Sequence, residues 1–312
     1  YWKADFAQSE TQLVWSREKY SMFKILPCLD SVEMSTSRRQ ELDIPRNVAA
    51  ALGSSAVAAA VEGQYVFGDG KKVDWSRYVQ AANFAKVSIP PGVSLPSRKC
   101  IPFPETRIQV TNETTLGASM RLVKSGLEPL ALNFANGIHP GGGFLGGAKA
   151  QEEVLCRSSA LYQTIIDDQM YLAHRKRLRS DSTDWAIYSP DVPVFRTDDG
   201  TELEQPWLLS FITCAAPYAP AIGKQEAADL LQKRIHRVLD IAQAYRHSSL
   251  VLGAWGCGAF ANDPHRTAKN FRQALENDFG GSFSDIIFAI TDWSPERKFL
   301  GPFRDEFALT GK

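Results

Sequence analysis

Along most of the chain, short apolar runs alternate with longer stretches in which apolar residues recur every three or four positions. From residue 107 onward, Arg107 to Val110, Leu130 to Phe134, Trp185 to Ser189, Leu208 to Thr213, Leu250 to Ala254 and Ser284 to Ile290 read as strands. Between them, Thr114 to Lys124, Glu152 to Lys176, Lys224 to Tyr245 and Pro264 to Asp278 carry the 3.6-residue period of helices. This alternation predicts an α/β fold: a largely parallel sheet, flanked by helices, with ligand loops beyond the carboxyl ends of its strands. Upstream, helical pattern appears at Glu10 to Phe23 and at Arg46 to Glu62, and the five prolines in Ile89 to Pro104 mark an extended connection. The expected organisation is a helical N-terminal extension over residues 1–95, packed on a main domain over residues 96–312.

Composition narrows the classes. With 312 residues, 44% of them hydrophobic, the chain can bury a substantial core. Its 35 basic and 35 acidic side chains cancel, so no global field draws in a polyanion, and direct nucleic-acid binding is not expected. The run RKRLR at Arg175 to Arg179 falls at a predicted helix C-terminus, where positive charge is favourable, and reads as a solvated helix end before a polymer-binding patch. Five cysteines, Cys28, Cys100, Cys156, Cys214 and Cys257, form no CxxC pair and suit neither a zinc site nor a disulfide framework. A reducing compartment inside the cell, cytoplasmic or nuclear, follows from that usage. The uncharged stretch Val48 to Val61 is too weakly apolar to span a bilayer, and the N-terminus shows no signal-peptide pattern. The first residue is Tyr1 instead of Met, as in a trimmed or processed chain.

Candidate chemistry concentrates in Asn133 to Glu153, NFANGIHPGGGFLGGAKAQEE. Gly141, Gly142 and Gly143 lack Cβ atoms, so they can enter positive-φ conformations and let several amides converge on an anion such as a diphosphate. Strand, glycine loop and helix is the usual context for phosphate capture. Triple glycine alone is also what a flexible turn looks like. Glu152 and Glu153 then open the helix, either as first-turn caps that complement its dipole or as a functional pair whose side chains diverge by roughly 100°. Arg157, four residues beyond Glu153, offers a competing ion pair. His139 is either a ligand contact or a loop-structuring residue. A second glycine segment, SLVLGAWGCGAF at Ser249 to Phe260, runs from a strand into Gly256 and Gly258, and Phe260 is either a core residue or a ring packed on a ribose or base.

These segments together resemble the poly(ADP-ribose) glycohydrolases, most closely the compact group first recognised in bacteria and also found in filamentous fungi. The marks are GGG, seven residues, then QEE; VTNETTL at Val110 to Leu116; NFAN at Asn133 to Asn136; ITCAAP at Ile212 to Pro217; and GCGAF at Gly256 to Phe260. The resemblance covers roughly Pro90 to Leu300 and implies a macrodomain-like catalytic domain. It implies that Glu153 is the catalytic acid and that Glu152 holds a hydroxyl of the adjoining ribose. Gly141, Gly142 and Gly143 then belong to the first diphosphate loop, Gly256, Cys257, Gly258 and Ala259 to the second, and Phe260 positions the distal ribose. Asn133 and Gln151 complete the implied substrate-binding set. No metal and no cofactor are implied.

The implied reaction is hydrolysis of ribose–ribose glycosidic bonds in poly(ADP-ribose). Glu153, kept protonated in a partly dry pocket, protonates the departing ribose hydroxyl and then activates water. The expected partners are poly(ADP-ribose), ADP-ribosylated proteins and the product ADP-ribose, handled by a monomer acting in the DNA damage response. Two alternatives stand beside this reading: a noncatalytic ADP-ribose reader, and a hydrolase of mono-ADP-ribose linked to protein.

Overall fold

The structure, a computed structural model, describes residues 23–96 and 102–308. In chain order its elements are β1 (Phe23–Ile25), α1 (Val32–Leu42), α2 (Arg46–Glu62), β2 (Gln64–Phe67), β3 (Lys71–Asp74), α3 (Ser76–Ala85), β4 (Val87–Ile89), β5 (Thr106–Thr111), α4 (Thr115–Lys124) and β6 (Pro129–Ala135). There follow α5 (Gln151–Ser158), α6 (Leu161–Ile165), α7 (Gln169–Arg175), β7 (Ala186–Arg196), β8 (Glu202–Ala215), α8 (Ala219–Ile222), α9 (Lys224–Ala244), β9 (Ser249–Leu252), α10 (Pro264–Asn277), β10 (Asp285–Ala289) and α11 (Leu300–Ala308). Eight strands form one sheet in the order β1-β5-β10-β9-β6-β8-β7-β4. The first six are mutually parallel, and β7 and β4 close the far edge antiparallel to their neighbours.

The parallel strands are covered on both faces, which is why β6 and β9 read as unbroken apolar runs. One face packs on α9, α10 and α11 through Leu239, Phe271 and Phe303. The other packs on α2, α4 and α5 through Ala56, Leu116 and Leu155. Neighbouring strands β6 and β9 send their chains to opposite faces, β6 into α5 and β9 into α10. Their carboxyl ends therefore border a crevice of the kind in which open α/β sheets bind ligands.

Residues 23–95 are not only helical. β1 and β4 are the two edge strands of the main sheet, and the β2–β3 hairpin turns through Gly68 and Gly70 at positive φ. The hairpin is anchored by Tyr65, Trp75 and Phe195, whose ring centroids lie 4.6–5.4 Å apart. Helix α2 has the bounds its sequence predicts, with Pro45 before its first residue and Gly63 as a left-handed C-cap. The helix expected over Glu10 to Phe23 lies outside the described residues, except that Phe23 begins β1. Cys100 also lies outside them.

The single helix expected over Glu152 to Lys176 is a correction: the chain forms three, α5, α6 and α7. Ser159 leaves the helix in an extended conformation (φ −146°, ψ 175°) and bridges Val194 of β7. Its hydroxyl donates to the Leu155 carbonyl and accepts from the Leu161 amide, and Asp168 caps α7 through the Met170 amide. A tertiary strand contact and two local caps thus override the helical period. Of the basic run, Arg177 pairs with Asp181, Arg179 pairs with Glu226, and Arg175 donates to the Ile138 carbonyl at 2.8 Å. No single helix among the described residues is long and apolar enough to cross a membrane.

Candidate active site

The carboxyl ends of β5, β6, β8, β9 and β10 open into one cavity of about 420 Å³, within the usual range for a small-molecule site. Its lining includes Asn136, Glu152 and Glu153, Gly256, Gly258 and Phe260, Thr114 and Asp198, and the aromatic Trp293 and Phe299.

The first glycine loop is shaped around the acids. Gly141 and Gly142 have φ of +70° and +59°. A Cβ on Gly142 would lie 2.3 Å from Glu153 Oε1 and 3.1 Å from Glu152 Oε2, so only glycine admits both carboxylates at this distance. The loop turns its amides inward. The Gly143 N–H donates to Glu153 Oε1 at 3.0 Å, and the Gly141 amide is directed at Glu152. Loop amides expected to face a diphosphate therefore hold the carboxylate pair.

The two acids differ in their surroundings. Glu152 is buried; its Oε2 accepts from the Asn136 N–H at 2.7 Å and its Oε1 from Asn133 Nδ2 at 3.4 Å. Burial pushes its carboxyl up to about 8, helped by the charge of Glu153 and opposed by the N–H donors. Glu153 takes one protein hydrogen bond, through Oε1, and among the described residues its Oε2 has no protein partner. The ion pair with Arg157 does not form. Arg157 is fully buried, and among the described residues its side chain reaches only the Asp198 carbonyl, at 3.5 Å.

Asn133 is wholly buried; its amide contacts Glu152 and Thr213 Oγ1, behind the cavity wall. Gln151 lines the wall, but its side chain is occupied. Oε1 accepts from the Phe134 N–H at 2.9 Å, and Nε2 donates to the Leu132 carbonyl at 2.7 Å and to Thr115 Oγ1 at 3.1 Å. It ties the first turn of α5 to β6 and α4, and so fixes where the acids start. His139 is exposed, and its backbone shapes the loop by accepting from the Gly142 N–H.

The second glycine loop is built differently. Gly256 has φ +76° and is packed against Ala216 and Asn262, whose side-chain amide donates to the Gly256 and Pro217 carbonyls. Gly258 has open space around its Cα, and the amides of Gly258, Ala259 and Phe260 find no protein acceptor among the described residues. Of the two loops, this one offers free donors to an anion. The Cys257 thiol points away, against the Trp255 carbonyl and Thr267 Oγ1, and burial pushes it up to about 12. Cys257, alone of the segment from Trp255 to Phe260, does not line the cavity. Phe260 is half-buried and meets Tyr218 edge-on, at 5.7 Å between centroids.

Of the cavity's lining, sequence reasoning missed Asp198, Trp293 and Phe299. Asp198 sits in the β7–β8 hairpin loop; its Oδ2 accepts from Thr114 Oγ1 at 2.7 Å, and burial pushes it up to about 7. Trp293 lies four residues beyond the end of β10, in a loop with no local signal that marks it.

A macrodomain-like α/β sheet with an acid pair and two glycine loops at its carboxyl edge defines a class of ADP-ribose-type sites. Comparisons agree. The family described as microbial-type PARG, catalytic domain, matches residues 53–197. A crystal structure of poly(ADP-ribose) glycohydrolase from Thermomonospora curvata is 37% identical over 83% of this chain and 99% of that one, with a TM-score of 0.77. The same enzyme bound to the inhibitor ADP-HPD gives 37% identity over 83% and 99% and a TM-score of 0.76. The Deinococcus radiodurans enzyme in complex with ADP-ribose gives 36% over 76% and 98% and a TM-score of 0.68. No curated protein matches the chain. The chain belongs to the microbial-type poly(ADP-ribose) glycohydrolase family.

Proposed function

We propose that this protein hydrolyses the ribose–ribose O-glycosidic bonds of poly(ADP-ribose) and releases ADP-ribose. One observation carries the assignment of the acid: of the paired carboxylates, Glu153 alone keeps an oxygen without a protein partner among the described residues, at the cavity wall. The substrate's diphosphate meets the free amides of Gly258 to Phe260, and Phe260 packs on the distal ribose. This pins the anomeric carbon beside Glu153. The Glu153 carboxyl gives its proton to the departing ribose oxygen as the bond from the anomeric carbon breaks. Water then adds to that carbon, and its proton returns to the Glu153 carboxylate. Glu152, with the proton its burial favours, offers a hydrogen bond to the adjoining ribose hydroxyl and limits the negative charge beside the reacting acid. Asn133 and Gln151 hold the pair in place, and no step calls for a metal or redox group.

In this reading residues 96–312 carry the chemistry, and the preceding residues, of which 23–95 are described, are an extension packed on it. ADP-ribosylated proteins are the carriers of the substrate. The described cysteines, all free, suit a reducing compartment inside the cell. The test is release of ADP-ribose from purified polymer by the native protein and by Glu153→Gln. Release is expected to fall by about 10³-fold or more in the variant, with ADP-ribose affinity within a few-fold of native. Substantial turnover by Glu153→Gln would remove the acid from Glu153. Binding without hydrolysis by the native protein would make it a reader, and release only from singly modified protein would make it a mono-ADP-ribose hydrolase.

A further inference from the structure

We propose that the turn between α1 and α2, with the first half of α2, is a positioning element for Glu153, acting through the loop that joins the triple glycine to the acid pair. The inference rests on the reading of Glu153 as the acid, and adds to it a control point about a hundred residues away in sequence.

The loop, residues 144–149, is seated on this part of the chain by five contacts. Arg46 Nε donates to the Gly146 carbonyl at 2.8 Å. Lys149 Nζ donates to Asp43 Oδ1 at 2.7 Å and to the Ile44 carbonyl at 3.1 Å. Gly147, at φ +76°, lies so close that a Cβ there would stand 2.1 Å from the Arg46 carbonyl oxygen. A Cβ on Gly53, about two helical turns further on, would stand 2.9 Å from the Phe144 carbonyl oxygen. The buried small residues Ala49, Gly53, Ala56 and Ala60 recur every three or four positions, so α2 presents a flat face on which backbone meets backbone.

A continuous path leads from this seat to the acid. The amides of Gly146 and Ala148 donate to the Gly143 carbonyl at 2.9 and 3.1 Å. Gly143 in turn donates its own amide to Glu153 Oε1. A shift of residues 146–147 therefore moves the peptide that orients the acid, while the amides of Gly258 to Phe260 stay where they are. Because reacting groups must be aligned to a fraction of an ångström, such a shift acts on turnover before affinity.

The experiment compares the native protein with Arg46→Ala, Arg46→Lys and Gly53→Ala in polymer hydrolysis, ADP-ribose binding and thermal unfolding. Arg46 is exposed, and alanine is a better helix former than glycine, so α2 itself tolerates these changes. Arg46→Ala is expected to lower kcat by about three- to tenfold, and Gly53→Ala by at least as much, with KM and the ADP-ribose Kd within about twofold of native. Arg46→Lys, which keeps a donor for the Gly146 carbonyl, is expected to recover part of the loss. The inference is overturned if kcat of either alanine variant stays within about twofold of native, or if KM rises as much as kcat falls. A loss of kcat that merely tracks the unfolded fraction overturns it too. An inactive native protein would instead refute the proposed hydrolysis.

Discussion

Replacing Gly142 by alanine tests whether the glycine loop is shaped for the acids. A Cβ at this position would stand 2.3 Å from Glu153 Oε1, whereas real Cβ contacts begin near 3.0 Å, so the carboxylate must retreat by about 0.7 Å at the least. Glu153 is nearly buried, and the retreat also strains its bond to the Gly143 amide. Misplacement of a catalytic group by about 1 Å costs on the order of 10²-fold, so kcat for polymer hydrolysis should fall by roughly that factor. The backbone cost is separate. At φ +59° alanine is left-handed, which costs about 1–2 kcal/mol and lowers the unfolding midpoint by a few degrees. Initial rates of ADP-ribose release, taken well below the variant's midpoint, isolate the catalytic part, and ADP-ribose titration shows whether the Gly258 to Phe260 amides still bind. A variant that folds, binds ADP-ribose and turns over within threefold of native would refute the argument from Gly142.

Other expectations follow from the same geometry. Because burial raises Glu152 to about 8, the folded protein keeps a proton that the unfolded chain releases near 4.5. That contribution to stability is full below the unfolded value and is lost as pH rises through the folded one. The stability of Glu152→Gln relative to native should therefore improve between about pH 4.5 and 8, by on the order of a few kcal/mol, and parallel pH curves in urea unfolding would contradict this. Gln151→Ala strips partners from the Phe134 N–H and the Leu132 carbonyl on buried strand β6, at about 1–3 kcal/mol for each group, which denaturant midpoints will show. Among the described residues Arg157 Nε and Nη1 are buried without partners, so Arg157→Met should unfold within about 1 kcal/mol of native or later; a loss above about 3 kcal/mol would mean these nitrogens are paired.

What the sequence made legible follows the strength of its local signals. Helix α2 could be bounded because Pro45 and Gly63 punctuate an alanine-rich run, and β6 and β9 because strands buried on both faces are continuously apolar. Edge strands β1 and β4 have three residues each, too few to show a period, and α1 is largely polar. Strands β7 and β8 run well past their apolar cores because they pair with each other through bulges, with Asp191 at positive φ, and that pairing is tertiary. The same holds at the site. Glu152, Glu153 and both glycine loops stood out in the sequence, whereas Asp198 reaches the cavity only because the hairpin loop folds back over α4. Which glycine loop holds the acids and which leaves its amides open was likewise beyond the sequence, since both read as strand ends followed by glycine.

The order of strands in the sheet also bears on how the chain is made. Strand β5 lies between β1, from the start of the described chain, and β10, which ends at Ala289; β4 waits for β7, a hundred residues later. During synthesis, the early edge strands and α2 emerge long before the strands that will cover them. Central pairing cannot close until β10 has left the ribosome. Such non-local parallel topologies fold slowly and leave strand edges unpaired in the meantime.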